Sequence, residues 1–306
     1  MQAGVPRPRR CLVCDRAEPF STVYSRGEFR LVRCEECWLV FQHPVPAPEA
    51  MARLYYHSEE FTAQLEGPLR AVLLARAGEK LARLGAAGVE PRGQALDVGC
   101  STGAWLEVAA EAGWEPAGVE LGARSAEAAR ARGFEVHVGD FADARAELEG
   151  RRFDLITFWD VLEHLADPLD ALRGAARMLS DGGVLALTLP NVDGMYPRLT
   201  YRLIARRTGV WEYPELPAHL FDFSPTTLGR LGTLAGLERA AISTTATPFD
   251  YYRTTALPGQ LAARRWRGRP LRLAFEGLRV IAYPIARMFD RGNSMFATFT
   301  RVQSRP

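Results

Sequence analysis

From Ala95 onward, the hydrophobic and polar residues of the chain alternate between strand-like and helix-like patterns. Five short apolar runs predict strands: ALDVG, EPAGVE, FEVHVGD, FDLITFWD and GGVLALTLP. Between them, apolar residues recur every three or four positions and predict helices over 103–112, 123–132 and 168–179. Strands alternating with helices form a parallel sheet covered on both faces, with ligands at the carboxyl ends of the strands. We therefore expect an α/β fold with a doubly wound, Rossmann-like sheet.

The first 45 residues lack this alternation and carry four of the five cysteines, as the pairs CLVC and CEEC. The pattern FSTVYSRGEFRLV between the pairs predicts a hairpin with a turn at Arg26-Gly27, which would bring the pairs together. Two facing CxxC turns form a tetrahedral, all-thiolate zinc site, which is structural because no coordination position stays open. We predict a zinc ribbon over 1–45 with four ligands: Cys11, Cys14, Cys34 and Cys37. A redox dithiol or unrelated free cysteines are the alternatives, and Cys100 is expected to be a small filler.

Residues 46–91 connect the ribbon to the sheet. The stretch HPVPAPEA is a proline-rich connector, and both MARLYYHSEEF and PLRAVLLARAGEKLARL have helical spacing. We expect a linker with cap helices over 46–91 and a second domain over 92–306.

The overall composition changes this picture little. The chain has 306 residues, 47% of them hydrophobic and 24% charged, with a formal net charge of +2. These values suit a soluble globular protein, and the charge is too small to indicate nucleic acid by itself. We find neither a secretory signal nor an apolar run of the roughly 20 residues that a membrane-spanning helix needs. A cytoplasmic location is the resulting expectation.

The first strand of the sheet leads into a turn of small residues, GCSTG, from Gly99 to Gly103. A dinucleotide site requires glycines in the order G-x-G-x-x-G, and this turn does not supply them. The turn resembles the first motif of class I S-adenosylmethionine-dependent methyltransferases, D-V-G-x-G-x-G, and the resemblance covers roughly residues 92 to 245. Ser101 departs from the motif at its middle glycine, and it is tolerable there if its backbone angles are ordinary.

Two acids follow the second and third strands, at positions where this family has them. Glu120 can accept hydrogen bonds from both ribose hydroxyls, and Asp140 corresponds to the acid that holds the adenine amino group, although it can equally be a helix N-cap. FDLITFWDVLEHLADP and LSDGGVLALTLP match the family's next two blocks in order. The resemblance implies a seven-stranded sheet whose last strand, SMFATFTRV, is antiparallel. It also implies a site for S-adenosylmethionine at these residues: Asp97, Gly99, Ser101, Gly103, Glu120, Asp140 and Asp160.

Methyl transfer from a sulfonium requires alignment of the nucleophile, the methyl carbon and the sulfur, and a base that removes a proton from the nucleophile. His164 follows the fourth strand, and His219 lies in ELPAHLFDFSPTTL, ahead of a helix that Ser224 should N-cap. His219 resembles the histidine that faces the substrate in this family. We predict both as catalytic residues, with the larger role for His219; His164 is alternatively a helix-end residue bonded to the backbone. His43 and His137 are expected to be structural.

Asp160, Glu163 and His164 also resemble the E-x-x-E-H of ubiquinone-pathway O-methyltransferases, in which such residues hold a divalent metal near a catechol. Asp160 replaces the first acid of that motif and has a shorter reach. We expect the triplet to be structural, with a metal site as the alternative.

A basic, amphipathic segment precedes the last strand. The stretch 261–291 carries eight arginines against Glu276 and Asp290, and Pro284 interrupts it. Six apolar residues fall near one helical face: Leu271, Phe275, Leu278, Ala282, Ile285 and Phe289. We expect a basic helical insertion at about 250–292 that packs on the domain as a helix pair. Contact of 262–291 with a membrane surface or an anionic substrate is the alternative, and Trp266 with its arginines could also meet RNA.

Three classes of function fit these patterns. The first is O- or C-methylation of a small molecule such as a sugar, a glycan precursor, a quinone or a natural product; bacterial sugar and natural-product methyltransferases with a zinc ribbon are similar. The second is RNA base methylation, which one ribbon-bearing rRNA methyltransferase family performs. Against it stand the modest charge and FWDVLEH in place of an Asn/Asp-Pro-Pro-Tyr-type motif. The third is non-catalytic cofactor binding. We favour the first, with the acceptor and the oligomeric state open.

Overall fold

The computed structural model describes residues 10–45, 66–67, 69–245 and 269–302. The strands in these ranges are β1 (Ser21–Arg26), β2 (Phe29–Arg33), β3 (Val40–Gln42), β4 (Gln94–Val98), β5 (Glu115–Glu120), β6 (Glu135–Val138), β7 (Phe153–Trp159), β8 (Leu179–Pro190), β9 (Phe221–Asp222), β10 (Leu237–Thr245) and β11 (Ser294–Arg301). The α-helices are α1 (Arg70–Ala86), α2 (Ala104–Ala112), α3 (Ala123–Arg130), α4 (Phe141–Glu147), α5 (Pro168–Met178), α6 (Met195–Thr200), α7 (Arg206–Thr208), α8 (Pro225–Leu234) and α9 (Arg269–Met288). The helix predicted at MARLYYHSEEF and the predicted role of Trp266 fall outside the described residues.

Seven strands form the main sheet, in the order β10-β11-β8-β7-β4-β5-β6. The five strands from β8 to β6 in that order pair in parallel, whereas β11 is antiparallel to both β8 and β10. The predicted antiparallel last strand is therefore confirmed. The chain extends the sheet from β4 first through β5 and β6 and then, on the other side, through β7 and β8, so the crevice of a doubly wound sheet opens at the carboxyl ends of β4 and β7.

Alternate residues of the central strands supply two hydrophobic cores, one on each face of the sheet. On β4, Ala95 packs in a cluster that includes residues of α1, α2 and α3, whereas Leu96 and Val98 pack with residues of α4, α5 and α8. Successive side chains of a strand point to opposite faces, so an apolar run predicts burial on both. This arrangement confirms the predicted doubly wound architecture.

Local capping signals fix where two of these helices begin. Ser224 accepts a hydrogen bond from the backbone N–H of Thr227 and forms a capping box at the start of α8, which confirms the predicted N-cap. Asp167 caps α5 by accepting from the N–H of Asp170. Helix α5 leads directly into β8, so this strand begins at Leu179 rather than at Gly182.

The N-terminal ribbon forms a separate small sheet with the strand order β1-β2-β3-β9. Strands β1 and β2 are a hairpin whose turn residues are Gly27 and Glu28, one position later than predicted, and Gly27 has a φ of +60°. The fourth strand, β9, comes from the second domain, directly after the loop of His219. The ribbon predicted as a unit over 1–45 is therefore completed by residues far along the chain.

Helix α9 corresponds to the predicted basic helix, and it packs against α6. Its apolar face differs from the prediction, because Ile285 and Phe289 are 37% and 64% exposed. The buried side of α9 consists of Phe275, Arg279, Ala282 and Ala286. No helix in the described part of the chain is long and apolar enough to cross a membrane.

A buried ion pair explains why α9 turns this side inward. The guanidinium of Arg279 donates to Tyr196 Oη at 2.9 Å and to Glu212 Oε2 at 2.8 Å. A charge can be buried when it is paired and hydrogen-bonded, and a helix that buries an arginine must rotate some apolar side chains outward. Arg279 is therefore not part of a basic surface.

Candidate active site

Neighbouring side chains lie close to the backbone of the glycine turn after β4, as its small residues predict. Gly99 and Gly103 have φ values of +79° and +82°, and a Cβ at Gly99 would lie 2.5 Å from Val161 Cγ2. Ser101 has a φ of +52°, so the condition of ordinary backbone angles is not met and the serine adopts a left-handed conformation. A left-handed conformation costs a residue with a side chain roughly 1–2 kcal/mol, and such strain is concentrated at functional sites.

Glu120 ends β5 directly beside this turn. Its Oε2 accepts a hydrogen bond from the N–H of Ser101 at 2.8 Å, and its Oε1 accepts from the N–H of Gly122 at 2.7 Å. Burial raises the pKa of Glu120 above its ordinary value, and these backbone N–H groups oppose that shift. Each carboxylate oxygen can accept more than one hydrogen bond, so the group can still accept from ribose hydroxyls.

Asp97, which is buried, and Asp160 lie in the same crevice, together with a lysine that the sequence analysis missed. Lys80 of α1 places its Nζ 3.6 Å from Asp160 Oδ2. Thr157 donates to Asp97 Oδ1 at 2.6 Å, yet burial raises the pKa of Asp97 to about 7. Burial lowers the pKa of Lys80, which the carboxylates of Asp160 and Asp97 oppose. Lys80 could have been found from the sequence, because it falls between Ala77 and Leu84 on the buried side of α1.

Asp140 lies at the carboxyl end of β6 and serves as the N-cap of α4. Its Oδ1 accepts from the N–H of Asp143 at 2.8 Å. The structure thus shows the capping role, one of the two alternatives from the sequence. A contact with the adenine amino group stays a prediction, since a capping carboxylate has further acceptor positions.

His164 and His219 lie against each other at this end of the sheet. Their ring centroids are 4.7 Å apart at an angle of 68°. The carbonyl of Ala218 accepts from His164 Nδ1 at 3.1 Å, which leaves Nε2 of the neutral ring without a proton. Burial, together with the neighbouring His219 in the case of His164, lowers the pKa of each histidine to about 4. Both imidazoles are therefore neutral at pH 7, and each has one ring nitrogen that carries no proton.

Glu163, one of the two acids of the E-x-x-E-H resemblance, completes this cluster, whereas Asp160, the other acid, is not part of it. The ligand-forming atoms of Glu163, His164 and His219 lie within 4.8 Å of one another, whereas Asp160 pairs with Lys80. Glu163 is 1% exposed, and neither of its carboxyl oxygens has a hydrogen-bond partner among the residues that the structure describes. Burial raises the pKa of Glu163 well above its ordinary value, as does the nearby Asp160. Two imidazoles and one carboxyl could hold a divalent metal such as zinc or iron.

The four cysteines of the ribbon meet as predicted. Their Sγ atoms lie within 4.8 Å of one another, at 3.2 Å for Cys11 and Cys37 and 3.4 Å for Cys14 and Cys34. A tetrahedral zinc site with Zn–S bonds of about 2.3 Å separates its sulfurs by about 3.8 Å, so these residues fit zinc after small shifts.

The two cysteine turns share one backbone geometry. The N–H of Asp15 donates to the carbonyl of Cys11, and that of Trp38 donates to the carbonyl of Cys34, at 2.8 and 3.0 Å. Burial raises the pKa of Cys11 to about 11; burial also opposes ionisation of Cys34, but backbone hydrogen bonds from Cys37 and Glu36 lower its pKa. Buried thiols of this kind lose their protons when a metal takes their place.

Comparison with known proteins agrees with this geometry. A family model described as methyltransferase domain matches residues 69–241, more than half of the chain. A ubiquinone biosynthesis O-methyltransferase of Xanthomonas oryzae pv. oryzae is 35% identical over 130 residues, which are 40% of this chain and 52% of that protein. One from Serratia proteamaculans is 30% identical over 93 residues, 29% of this chain and 39% of that protein. The chain thus spans about half or less of these curated relatives.

Two solved structures share the fold at low sequence identity. One is an S-adenosylmethionine-dependent methyltransferase from Archaeoglobus fulgidus, with a TM-score of 0.52, 16% identity, and coverage of 80% of this chain and 100% of that one. The other is magnesium protoporphyrin IX methyltransferase from Synechocystis with bound S-adenosylhomocysteine, with a TM-score of 0.51, 14% identity, and coverage of 83% and 99%. The chain belongs to the methyltransferase domain family and has the class I, S-adenosylmethionine-dependent architecture.

Proposed function

We propose that this protein transfers a methyl group from S-adenosylmethionine to a small-molecule acceptor, by O- or C-methylation. The observation that carries the proposal is the pair of neutral, buried histidines at the same edge of the sheet as the glycine turn and Glu120. This edge therefore combines a nucleotide site with groups that can accept a proton, as methyl transfer to a hydroxyl or an acidic carbon requires.

In the proposed reaction, the residues of the crevice either bind the cofactor or act on the acceptor. The cofactor supplies an electrophilic methyl group on a sulfonium. The turn from Gly99 to Gly103 lies against its amino-acid part, Glu120 holds the ribose and Asp140 the adenine. Lys80 offers a cation to the methionine carboxylate from the wall beside Asp160. His219 removes the acceptor's proton, and His164 orients His219 across their ring contact.

The acceptor is a sugar, a glycan precursor, a quinone or a natural product. The curated relatives named as ubiquinone biosynthesis O-methyltransferases support a small molecule, although they match only 29% and 40% of the chain. We also propose that Cys11, Cys14, Cys34 and Cys37 bind one structural zinc ion, and that the enzyme works in the cytoplasm.

Calorimetry with S-adenosylhomocysteine, followed by transfer of a radiolabelled methyl group, tests this function. The acceptor panel contains sugar nucleotides, catechol-type quinone precursors and RNA. We expect S-adenosylhomocysteine to bind. We also expect a small molecule, not RNA, to receive the radiolabelled methyl group. Labelling of RNA alone would replace the proposal with base methylation, and binding without labelling of any acceptor would favour a non-catalytic protein. His219→Ala serves as the control, since it should bind the product and fail to label.

We further propose that the outer side of α9 rests on an anionic membrane surface. Its exposed side carries large apolar residues, and the sequence around it supplies arginines for acidic headgroups. The apolar residues are Leu273, Val280, Ile281, Ile285, Met288 and Phe289. Arg287 and Arg291 are exposed at the end of the helix.

Cosedimentation with phosphatidylglycerol and phosphatidylcholine vesicles tests this surface. We expect binding to the anionic vesicles only, and loss of it in the double variant Val280→Ser, Met288→Ser. Leu234→Ser is a matched control, because Leu234 is an exposed apolar residue on α8. A concentration-dependent dimer that the double variant abolishes would instead assign this side of α9 to a second copy of the chain.

A further inference from the structure

We propose that the zinc ribbon positions the loop of His219, and that Gln42 is the positioning residue through which it acts. The inference rests on the proposed function only in assigning His219 a part in the chemistry. Its basis is the juxtaposition of the ribbon strand β3 with the backbone on both sides of His219.

Strand β9 joins the ribbon sheet two residues after His219. Val40 pairs with Asp222 and Phe41 with Phe221, both antiparallel. A strand of two residues has too few hydrogen bonds to be stable by itself, so its conformation depends on the sheet that it joins. The ribbon therefore determines the direction in which the chain leaves His219.

Gln42 binds the loop on both sides of this histidine. Its Nε2 donates to the carbonyls of Pro217 and His219, each at 2.6 Å, and its backbone N–H donates to the carbonyl of Leu220 at 2.9 Å. The side chain of Gln42 is fully buried. An amide nitrogen has two N–H donors, and here both are used on a three-residue span that ends at the catalytic candidate. These hydrogen bonds restrain the backbone carbonyls of Pro217 and His219, and with them the direction in which the His219 side chain leaves the backbone.

The ribbon hairpin also holds the segment that leads into the loop. The guanidinium of Arg26 donates to the carbonyls of Leu216 and Pro214 at 3.4 and 3.3 Å, and Tyr24 Oη accepts from the N–H of Trp211 at 3.2 Å. Apolar contacts reinforce these bonds, because ribbon and segment share a cluster of buried residues: Leu31, Val40, Ala205, Trp211 and Leu216. The loop is thus attached to the ribbon before and after His219.

The cysteine cluster belongs to the same packed unit. The N–H of Cys34 donates to the carbonyl of Leu39 at 2.9 Å, one residue before β3 begins. One hydrophobic cluster contains cysteines of the ribbon together with residues of β3 and β9: Cys11, Cys34, Cys37, Phe41 and Phe221. Because packed cores transmit displacements, the geometry of the four thiolates is coupled to the His219 loop. Zinc bound there would stabilise the placement of the loop without touching any substrate.

Gln42→Leu tests the inference, since leucine keeps the apolar volume and removes both donors. Gln94→Leu is the matched control, because Gln94 begins β4 at the opposite edge of the sheet and its amide contacts Glu115. We expect Gln42→Leu to reduce the turnover number tenfold to a hundredfold and to change S-adenosylhomocysteine affinity less than twofold. The imidazole NMR signals of His219 should shift in Gln42→Leu and in chelator-treated parent protein, and stay unchanged in Gln94→Leu.

A second variant and a measurement on the parent protein distinguish failure of the positioning role from failure of the proposed function. If Gln42→Leu does not fold, Arg26→Met probes the same attachment from the other side of the loop and should shift the His219 signals as well. Unchanged His219 signals in a folded Gln42→Leu or Arg26→Met variant, or a shift that chelation does not reproduce, would overturn the positioning role. A parent protein that binds no S-adenosylhomocysteine and methylates nothing would refute the proposed function, while the NMR result would still decide the role of the ribbon.

Discussion

The cofactor side of the crevice and its histidine side are built in different ways. The cofactor side comes mainly from one continuous stretch, in which each contributing group lies at the carboxyl end of a strand: the glycine turn follows β4, Glu120 ends β5 and Asp140 follows β6. The histidine side combines a ribbon strand at 40–42, the turn at 162–164 and the loop at 215–222. The first depends on local patterns and strand order, and the second on long-range packing.

The two sides also differ in how their polar groups are satisfied. On the cofactor side, the carboxylate of Glu120 accepts from two backbone N–H groups, and that of Asp97 accepts from Thr157. On the histidine side, the carboxyl oxygens of Glu163 and Asp222 are buried, with no hydrogen bonds among the described residues. Buried polar groups of this kind are costly, and in native proteins they often mark sites where a ligand or a metal supplies the missing partner. This difference suggests that the histidine side is completed by what it binds.

Loss of the zinc ligands should produce the largest difference between the two sides: turnover, which depends on the histidine side, should be lost, and cofactor binding should be kept. The double variant Cys34→Ser, Cys37→Ser should contain no zinc and show no detectable turnover, because the sheet that holds β9 loses its metal. Structural zinc contributes about 10–16 kcal/mol in small zinc domains, far more than one hydrogen bond. Metal analysis and calorimetry check this: parent protein should hold one zinc, and the variant should still bind S-adenosylhomocysteine within about tenfold. A zinc-free parent protein would contradict the metal assignment.

His219→Ala should have the next largest effect and should act on one side only. A general base contributes about a hundredfold to ten-thousandfold in rate, so turnover should fall by that factor while cofactor affinity is kept. His164→Ala should lose less, because His164 is bonded to the carbonyl of Ala218 and acts through its neighbour. Steady-state rates at saturating cofactor measure both. Parental turnover in His219→Ala would leave the loop as a lid without a catalytic role.

Glu120→Ala should act on the other side alone. Losing two charge-assisted hydrogen bonds to the ribose should weaken cofactor binding by about 1–3 kcal/mol, or roughly fivefold to 150-fold. Glu115→Ala is the matched control, since Glu115 lies at the opposite end of the same strand. Calorimetric titration with S-adenosylhomocysteine distinguishes them. Equal affinity of Glu120→Ala and the parent protein would place the ribose contact on another residue.

The sequence was informative where structure is local. Apolar runs, the glycine turn and the family resemblance predicted the parallel strands, the position of Glu120 and the antiparallel β11, and the CxxC spacing predicted the cysteine cluster. Strand β9 has two residues, too few for any periodicity, and its partner lies about 180 positions earlier. The rotation of α9 depends on the ion pair between Arg279 and Glu212, which cannot be predicted from the sequence around either residue alone. Pairing across such distances is decided by packing, which a single sequence does not display.

The two sides should also differ in the pH dependence of the stability that they contribute. Burial lowers the pKa of His164 and His219 to about 4, below the ordinary value of 6.5. Between these values the unfolded chain binds more protons than the folded chain, so the histidines make the free energy of unfolding fall as the pH drops from 6.5 towards 4. The pKa of Asp97 is raised to about 7 by burial, and that of Asp222 likewise, so these acids make stability rise on acidification. Because the histidines and the acids act in opposite directions, the free energy of unfolding of the parent protein should change little with pH.

Substitutions should reveal the two opposing contributions. The double variant His164→Gln, His219→Gln should gain stability relative to the parent protein between pH 7 and pH 5, by at most roughly 2 kcal/mol for each histidine, since one pH unit corresponds to about 1.4 kcal/mol per proton. Asp97→Asn should change in the opposite direction, and His137→Gln on β6 controls for loss of a histidine outside the crevice. Urea unfolding at the two pH values measures these differences. A gap between the double variant and the parent protein that is equal at pH 7 and pH 5 would show that the histidines are not buried in a neutral state, and would contradict the unprotonated state that the proposed base requires.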